Sequence, residues 1–310
     1  MSVEEKGTPG QLKKIGYRFT SGALRSAQMA YVMCIDPGLD EEKLPHTVLD
    51  VWDTDEAEDW ATAKILRWNA CSTCVAQTPK RQSVTIGEHG HVFVFGSGDN
   101  HEESITLPGG TLNLLREVRC IDGEAYACAM DRQVFRRLGQ DHWQAIHGTM
   151  PEQPADDPVF GFESIHGFAS DDIYAVGWHG EIWQFNGKQW RRCTSPTNVI
   201  LTRVFCADDG LVYIAGQQGV LLRGRDDSWE VIDHEDTEAD LWDLQWFDGA
   251  LYISTMYSIF RLHGEHLELV DCGDATPGSC YHLDSADGIL WSIGADDIVQ
   301  FDGHTWTRIE

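Results

Sequence analysis

The sequence of 310 residues predicts an all-β fold, a β-propeller of about seven four-stranded blades, with six blades as the alternative. The first observation is an aromatic position that recurs at spacings of 48, 39, 39 and 39 residues, at Tyr126, Tyr174, Tyr213, Tyr252 and Trp291. A second apolar position recurs at spacings of 47, 39, 38 and 39 residues, at Trp143, Trp190, Trp229, Leu267 and Trp306. A period near 40 residues is typical of propeller blades, because one sheet cannot bury both faces and the units must stack around an axis.

Turn signals recur with the same period. Before the first position they are Asp122-Gly123, Asp171-Asp172, Asp209-Gly210, Asp248-Gly249 and Asp287-Gly288. Asp and Gly accept positive φ at low cost, so such pairs between alternating apolar runs predict hairpins. The one long spacing is explained by a polar, turn-rich insertion at 148–158.

The N-terminal part lacks the repeat. We expect residues 1–14 to be a flexible leader and 15–310 a single domain, with six repeat units in 83–310 and a degenerate blade or cap in 15–82. Within that cap, 53–69 is predicted to be the one short helix. Asp53 would be its N-cap with Glu56 three residues later, and one apolar face would be formed by Ala57, Trp60, Ala61, Ile65 and Trp68.

The composition limits the partners. The net charge is −27, with 50 acidic against 23 basic residues. Such a surface repels nucleic acid and anionic membranes and attracts a basic protein, although a generally acidic surface kept for solubility would have the same composition. No apolar run approaches the about 18 residues that span a bilayer, and the start is polar, so we expect a cytoplasmic protein. The odd, scattered set of nine cysteines suggests reduced thiols.

Propeller topology places the segments between blades, and the turns joining the second and third strands of a blade, on one side of the ring. The longest acidic segments and several aromatic residues converge there, and binding residues concentrate on such loops. The predicted partner-binding residues are Asp156, Asp157, Trp178, His179, Glu235, Asp236, Glu238, Asp240, Met256 and Tyr257.

Two further groups of residues have side chains that can bind a metal. Cys71 and Cys74 form a lone CxxC pair without matching ligands, so core packing is the preferred interpretation and zinc the alternative. Glu117, Asp243 and His282 occupy one position of their innermost strands, where an axial metal could bind, but Ile165 and Val204 interrupt the ring of ligands. The sequence contains no Ser-His-Asp motif, phosphate-binding loop or dinucleotide fingerprint. We therefore expect no enzyme activity, no metal and no cofactor.

The pattern Asp-Asp-x-Tyr-x-x-Gly, Gly-x-Ile, Asn-Gly-x-x-Trp in 171–190 resembles divergent bacterial propeller repeats, akin to kelch and BNR-type blades. The resemblance covers about 84–310 and implies a fold rather than an activity. It departs from the sialidase box Ser-x-Asp-x-Gly-x-x-Trp, because Asp and Gly are adjacent here, and this weakens a glycosidase interpretation.

Small acidic cytoplasmic propellers of this kind look like immunity proteins, which guard a bacterial cell against a toxin. The resemblance implies a non-enzymatic inhibitor that neutralises a basic toxin through its acidic loops; a scaffold for protein assembly is a related possibility. The alternative from another class is a metal-dependent hydrolase or lyase with its site at the channel axis. We expect a monomer rather than an oligomer.

Overall fold

The computed structural model describes residues 6–7, 16–56, 58–148, 150 and 159–310, and for 6–7 the backbone alone. These residues form seven antiparallel sheets, each with four consecutive strands, arranged as the blades of a propeller. The innermost strands of neighbouring blades contact each other, and the last blade contacts the first, so the ring is closed. The seven-bladed prediction is confirmed.

Each blade runs outwards from the axis in chain order, and a two-residue strand, β1, is added to the outer edge of blade 1. The strands of β1 and blades 1 to 3 are β1 (Lys6–Gly7), β2 (Arg18–Ser26), β3 (Met29–Ile35), β4 (Thr47–Asp53), β5 (Trp60–Leu66), β6 (Ala70–Ala76), β7 (Gln82–Gly87), β8 (His91–Gly96), β9 (Asp99–Ser104), β10 (Leu115–Ile121), β11 (Glu124–Ala129), β12 (Val134–Gly139) and β13 (His142–Ala145). Those of blades 4 to 7 are β14 (Phe162–Ala169), β15 (Asp172–Gly177), β16 (Ile182–Phe185), β17 (Trp190–Cys193), β18 (Leu201–Cys206), β19 (Val212–Gly216), β20 (Leu221–Arg225), β21 (Ser228–Val231), β22 (Asp243–Phe247), β23 (Ala250–Ser254), β24 (Ile259–His263), β25 (His266–Leu269), β26 (His282–Ala286), β27 (Ile289–Ile293), β28 (Ile298–Phe301) and β29 (Trp306–Arg308).

The Asp-Gly turns join the first and second strands of their blades. At Asp122-Gly123 the two φ angles are 52° and 83°, and at Asp287-Gly288 they are 48° and 80°. Positive φ at both central residues is the geometry of a tight hairpin whose twist matches the strands, and Asp and Gly reach it easily. The turn pairs seen in the sequence thus set the hairpins of the fold.

The predicted helix over 53–69 is wrong. Asp53 ends β4, and Trp60–Leu66 forms β5, which pairs antiparallel with β4. The Asp53 Oδ1 accepts a hydrogen bond from the Asp55 N–H at 3.1 Å, so the residues that resemble a helix cap form a hairpin turn instead. Pairing along the whole of β4 outweighs the weak helical preference of the segment. Ala57 lies outside the described residues.

Helical structure in the described ranges is confined to three single 3₁₀ turns, at Trp178–Gly180, Gln217–Gly219 and Gly273–Ala275. No helix in these ranges has the length and apolarity needed to cross a membrane.

The core lies between adjacent blades. The first repeated position is buried in every unit, with Tyr126, Tyr174 and Trp291 fully inaccessible. The repeated tryptophans of the outer strands pack partly buried against the same clusters; Trp190, for example, lies against residues of blades 3 and 4. These tryptophans are blade-packing residues, as their periodicity predicts.

The ring closes between blades 7 and 1 without exchange of a strand. The Phe19 N–H donates to the Ala295 carbonyl at 2.9 Å, and the rings of Trp52 and Trp291 are 4.8 Å apart. The innermost strand β2 also packs closely on the second strand of blade 7 at Gly22, where a Cβ would lie 2.7 Å from the Ile293 Cδ1 atom of β27. We call this contact the seam.

Candidate functional site

One side of the ring carries the segments between blades and the turns between second and third strands. We call this side the loop face and define it by residues 178–180, 194–200, 217–219, 232–242, 255–258, 270–281 and 294–297. The opposite side, with the Asp-Gly turns at 122–123, 171–172, 209–210, 248–249 and 287–288, is the turn face.

A cavity of about 420 Å³ lies where the central channel meets the loop face. Trp178 and Trp242 line it near the surface, and Glu117, Arg203 and Asp243 line it more deeply. We call this cavity the mouth. On the turn face the channel ends in a second cavity of about 360 Å³, and Arg119 lines both.

The floor of the mouth is a set of ion pairs that crosses the axis. The guanidinium of Arg203 in blade 5 contacts Glu117 of blade 3 through Nη1 and Asp243 of blade 6 through Nη2. The His282 Nδ1 of blade 7 lies 3.7 Å from the Asp243 Oδ2. Burial would raise the pKa of Asp243, but Arg203 and His282 outweigh it and hold this pKa well below its usual range.

The same carboxylates also bind backbone. The Glu117 Oε2 accepts the Ile165 N–H at 2.8 Å, and the Asp243 Oδ2 accepts the Leu283 N–H at 3.0 Å, each from the innermost strand of the next blade. Ser72 does the same for Val118 at 3.1 Å. Inner-strand side chains therefore satisfy neighbouring backbone donors, which gives Glu117 and Asp243 a structural role.

The structure places the residues of the axial-metal alternative around one channel but does not leave them free to bind a cation. Arg203 lies between Glu117 and Asp243 and forms an ion pair with each. Among the residues described, no group of three or more His, Cys, Asp or Glu is arranged to hold a metal ion. This donor set suits a polar plug better than a Lewis-acid centre.

Asp284 leads to a pH prediction. Desolvation in the channel wall raises its pKa to about 6, although the Leu24 N–H, which donates to its Oδ2 at 2.7 Å across the seam, opposes that shift. An unfolded aspartate titrates near 3.9, so between about pH 4 and 6 the folded state binds more protons and the free energy of unfolding falls as the pH rises. In the variant Asp284→Asn, the decrease in the free energy of unfolding over this pH range should be smaller than in the wild type by up to about 3 kcal/mol. Urea unfolding at pH 4, 5, 6 and 7 measures it, and a profile parallel to the wild type would contradict the assignment.

The sequence-predicted partner residues lie on the loop face where the structure describes them; Asp156 and Asp157 lie outside the described residues. Trp178 lines the mouth, and the neighbouring His179, with φ 58°, contacts the Val159 carbonyl oxygen through Nε2 at 2.8 Å. Met256 is half-buried, whereas 70% of Tyr257 is exposed.

The acidic segment 232–242 contains the other four predicted partner-binding residues, Glu235, Asp236, Glu238 and Asp240. The Asp236 Oδ2 accepts the Leu267 N–H at 2.7 Å and the Asp240 Oδ1 accepts the Gln218 N–H at 2.9 Å, so these two carboxylates also fix their loops. Glu235 and Glu238 are exposed. The structure thus brings this segment beside the mouth, because Trp242 at its end lines the cavity.

Acidity alone does not distinguish the loop face. The turn face also carries exposed carboxylates, at Asp171, Asp208, Asp248 and Asp287. A cavity with Trp246 and Phe247 lies among them as well. The loop face differs in its exposed aromatic side chains, Trp242 at 37% and Tyr257 at 70%.

Sequence reasoning missed Glu163 and Trp242, which line the mouth, and Tyr281, whose ring lies beside that of Trp242. Trp242 is 37% exposed, its ring is 6.3 Å from that of Tyr281, and Glu163 accepts the indole N–H of Trp178 at 2.6 Å. A signal existed, since one position at the start of the inner strands does not repeat in type. In the register of the strand pairing it is occupied by Arg116, Glu163, Thr202, Trp242 and Tyr281, and the position after it by Glu117, Ser164, Arg203, Asp243 and His282. Ile165 and Val204, which the sequence alignment placed with Glu117, lie one residue further on.

Cys71 and Cys74 do not act as a pair. Both lie on β6, where the Cys71 thiol points to the carbonyl oxygens of Ile86 and Leu115 at 3.5 Å and Cys74 is buried in the core. Burial raises the pKa of Cys71 to about 12 and that of Cys74 well above its usual value. Both are protonated core thiols, and all nine cysteines of the chain are free.

Solved propellers share this architecture at low sequence identity. The WD40 β-propeller domain of Doa1 superposes with a TM-score of 0.67 at 11% identity, over 92% of this chain and 96% of that one. YCF48 bound to D1 peptide gives 0.66 at 10% identity, over 97% and 95%. Virginiamycin B lyase from Staphylococcus aureus gives 0.62 at 13% identity, over 77% and 83%. At such identities the likeness establishes the fold alone.

No protein-family model matches the sequence. One curated protein, the immune protein Tsi7 of Pseudomonas aeruginosa strain PAO1, is 46% identical over 309 residues, which cover 96% of this chain and all of that protein. Identity of this extent over the whole length of both chains, and not over one blade, is what common descent of the complete propeller produces. The chain therefore belongs to the family of the immune protein Tsi7.

Proposed function

We propose that this protein is an immunity protein, which binds a basic toxin and neutralises it without catalysing a reaction. The observation that carries the proposal is the 46% identity to the immune protein Tsi7 over 96% of the chain. The floor of the channel supports a binding role, because its carboxylates are occupied by Arg203 and by backbone donors. The direct test is co-expression with a toxin encoded beside its gene: we expect the protein to restore growth, and continued killing would overturn the proposal.

We place the toxin on the loop face. Aromatic residues surrounded by charge are the usual composition of a protein-binding surface, and Trp178, Trp242 and Tyr257 supply it there. The net charge of −27 favours a basic partner, because an acidic surface accelerates the encounter with a cationic one.

We further propose that the protein acts as a monomer in the cytoplasm. Nine free cysteines, seven of them buried, are typical of a reducing compartment. Light scattering of the purified protein and of its complex with the toxin tests the stoichiometry, for which we expect one to one.

Neutralising the acidic segment is expected to slow binding of the toxin. In the variant Glu235→Gln, Asp236→Asn, Glu238→Gln, Asp240→Asn the association rate constant at low salt should fall about tenfold, because steering by charge is lost. The amide oxygens can still accept from Leu267 and Gln218, so the loops should keep their shape. Stopped-flow fluorescence between low and physiological salt measures the rate.

The matched control removes four carboxylates from the other side: Asp171→Asn, Asp208→Asn, Asp248→Asn, Asp287→Asn. Both variants lose the same charge, so only a local effect separates them. An equal fall in the association rate constant would mean that net charge alone steers the toxin. A larger fall in the control variant would place the toxin on the turn face.

A further inference from the structure

We propose that the energetic centre of the toxin interface is the mouth, where Trp178 and Trp242 of its lining, together with Tyr281 and Tyr257 of the loop face, receive a protruding segment that carries an arginine or lysine side chain. We call these four residues the mouth cluster. The inference rests on the proposed function and adds to it a contact centre and the chemistry of the group that enters.

The aromatic residues of the mouth cluster have no role in repeat packing. The buried anchors such as Tyr174 and the outer-strand tryptophans such as Trp190 recur in most blades, as packing requires. By contrast, the equivalents of Trp242 in blades 3, 4 and 5 are Arg116, Glu163 and Thr202. An exposed tryptophan that the fold does not need is the residue type most enriched at the centres of protein interfaces.

Trp178 is held in place before any partner arrives. Its indole N–H donates to the Glu163 Oε1 at 2.6 Å, and Arg116 donates to the Glu163 Oε2 at 2.8 Å. The side chain of Glu163 is only 14% exposed, so these bonds are shielded from water. An aromatic side chain fixed in this way loses little entropy when it is contacted, which is how a preformed surface gains affinity.

The shape of the mouth favours a protruding ligand. A cavity of about 420 Å³ lies within the range of ligand-sized pockets and accommodates one or two side chains. Its floor is closed by the ion pairs of Arg203 with Glu117 and Asp243, so nothing threads further into the channel without breaking them. A flat partner surface would leave the cavity unfilled.

The charges select a cation. Three arginines line the mouth and each contacts a carboxylate: Arg116 contacts Glu163, Arg119 contacts Glu117, and Arg203 contacts Glu117 and Asp243. Three guanidinium groups thus face three carboxylates, so the lining offers no net positive charge to an anion. Beside the mouth, the segment that ends at Trp242 carries the exposed carboxylates of Glu235 and Glu238. An arginine or lysine entering here would meet the faces of Trp178 and Trp242 and the carboxylates around them, the two partners that a cation prefers.

The first experiment measures the affinity of the purified toxin for Trp178→Ala, Trp242→Ala and Tyr257→Ala by calorimetry. We expect a loss of at least about 30-fold for Trp178→Ala or Trp242→Ala, the size typical of a hot-spot aromatic. The matched control is Leu269→Ala: this residue is 67% exposed on the outer strand of blade 6, away from the axis, and its removal should change affinity by less than threefold. Unchanged affinity in all three mouth variants, with the toxin still bound by the wild type, would overturn the contact centre and leave the proposed function standing.

The second experiment tests the chemistry without the toxin. The probes are the capped peptides acetyl-Gly-Arg-Gly-amide and acetyl-Gly-Glu-Gly-amide, titrated into nitrogen-15-labelled protein while the indole N–H resonances are recorded. We expect the arginine peptide to shift the signals of Trp178 and Trp242, assigned through their phenylalanine variants, and the glutamate peptide to leave them in place. The reverse selectivity, or shifts confined to other tryptophans, would overturn a cation site in the mouth. Failure of the wild type to bind any toxin would instead overturn the proposed function.

Discussion

Replacing Arg203 with methionine is expected to lower the free energy of unfolding by about 3–5 kcal/mol. Arg203 is the shared partner of Glu117 and Asp243, of which the first is 4% exposed and the second fully inaccessible. Methionine fills similar space but removes the cation that the two carboxylates share, leaving Arg119 beside Glu117 and His282 beside Asp243. Burial plus mutual repulsion then oppose the ionisation of both carboxylates. Chemical unfolding at pH 7, followed by tryptophan fluorescence, measures the loss.

The same variant has a diagnostic pH dependence. Without Arg203 the pKa of Asp243 loses the main interaction that holds it low. The folded variant therefore takes up protons on acidification more readily than the wild type, and its deficit in stability should shrink towards pH 4. The control is Arg203→Met combined with Glu117→Gln and Asp243→Asn, which removes the charges and should recover most of the stability at pH 7. A loss below about 1 kcal/mol for the single variant, or no recovery in the triple one, would contradict the plug described here.

Replacing Trp291 with alanine is expected to cost about 3–5 kcal/mol, the range for truncating a buried aromatic side chain. Trp291 is fully inaccessible, its indole N–H donates to the Gln300 Oε1 at 3.0 Å, and its ring packs against Trp52 at the seam. The truncation opens a cavity between blades 7 and 1, where no backbone strand is shared.

Trp242→Ala is the matched control, because it makes the same chemical change at an exposed site in blade 6. We expect it to change the free energy of unfolding by less than about 1 kcal/mol. The two variants should therefore separate packing from binding: one unfolds early, and the other folds normally but binds weakly. Similar losses of stability in both would show that the mouth cluster belongs to the core after all.

Most of the fold could be predicted from the sequence repeat. Tyr126, Tyr174 and Trp291 could be recognised as one structural position because packing between blades imposes the same requirement on each unit, and such requirements leave a period in the sequence. The Asp-Gly turns were recognisable for a similar reason, since few residues tolerate their φ angles.

Residues whose structure depends on one contact elsewhere in the fold produce no repeat in the sequence and could not be predicted in this way. Asp53 and Glu56 satisfied the local pattern of a helix cap, and only the pairing of β5 with β4 decides for a strand. The role of Arg203 could not be predicted from its neighbours in the sequence, such as Val204. That role depends on ion pairs with Glu117, which lies 86 positions earlier in the chain, and with Asp243. Trp242 and Tyr281 could not be recognised from the repeat, because the repeat is free to vary at a binding surface and such residues do not recur from blade to blade.

Every blade of this ring is one uninterrupted segment of chain, and the seam is made by side chains and a few backbone hydrogen bonds rather than by a strand from the other terminus. The genetic unit of the protein is therefore the same as its structural unit. An in-frame duplication or deletion of one repeat therefore adds or removes the strands of one whole blade and cuts through no other sheet. A lineage of such proteins can enlarge, shrink or renew its rings by recombination at any junction between blades, and can exchange the loops on one face while the scaffold below them is kept.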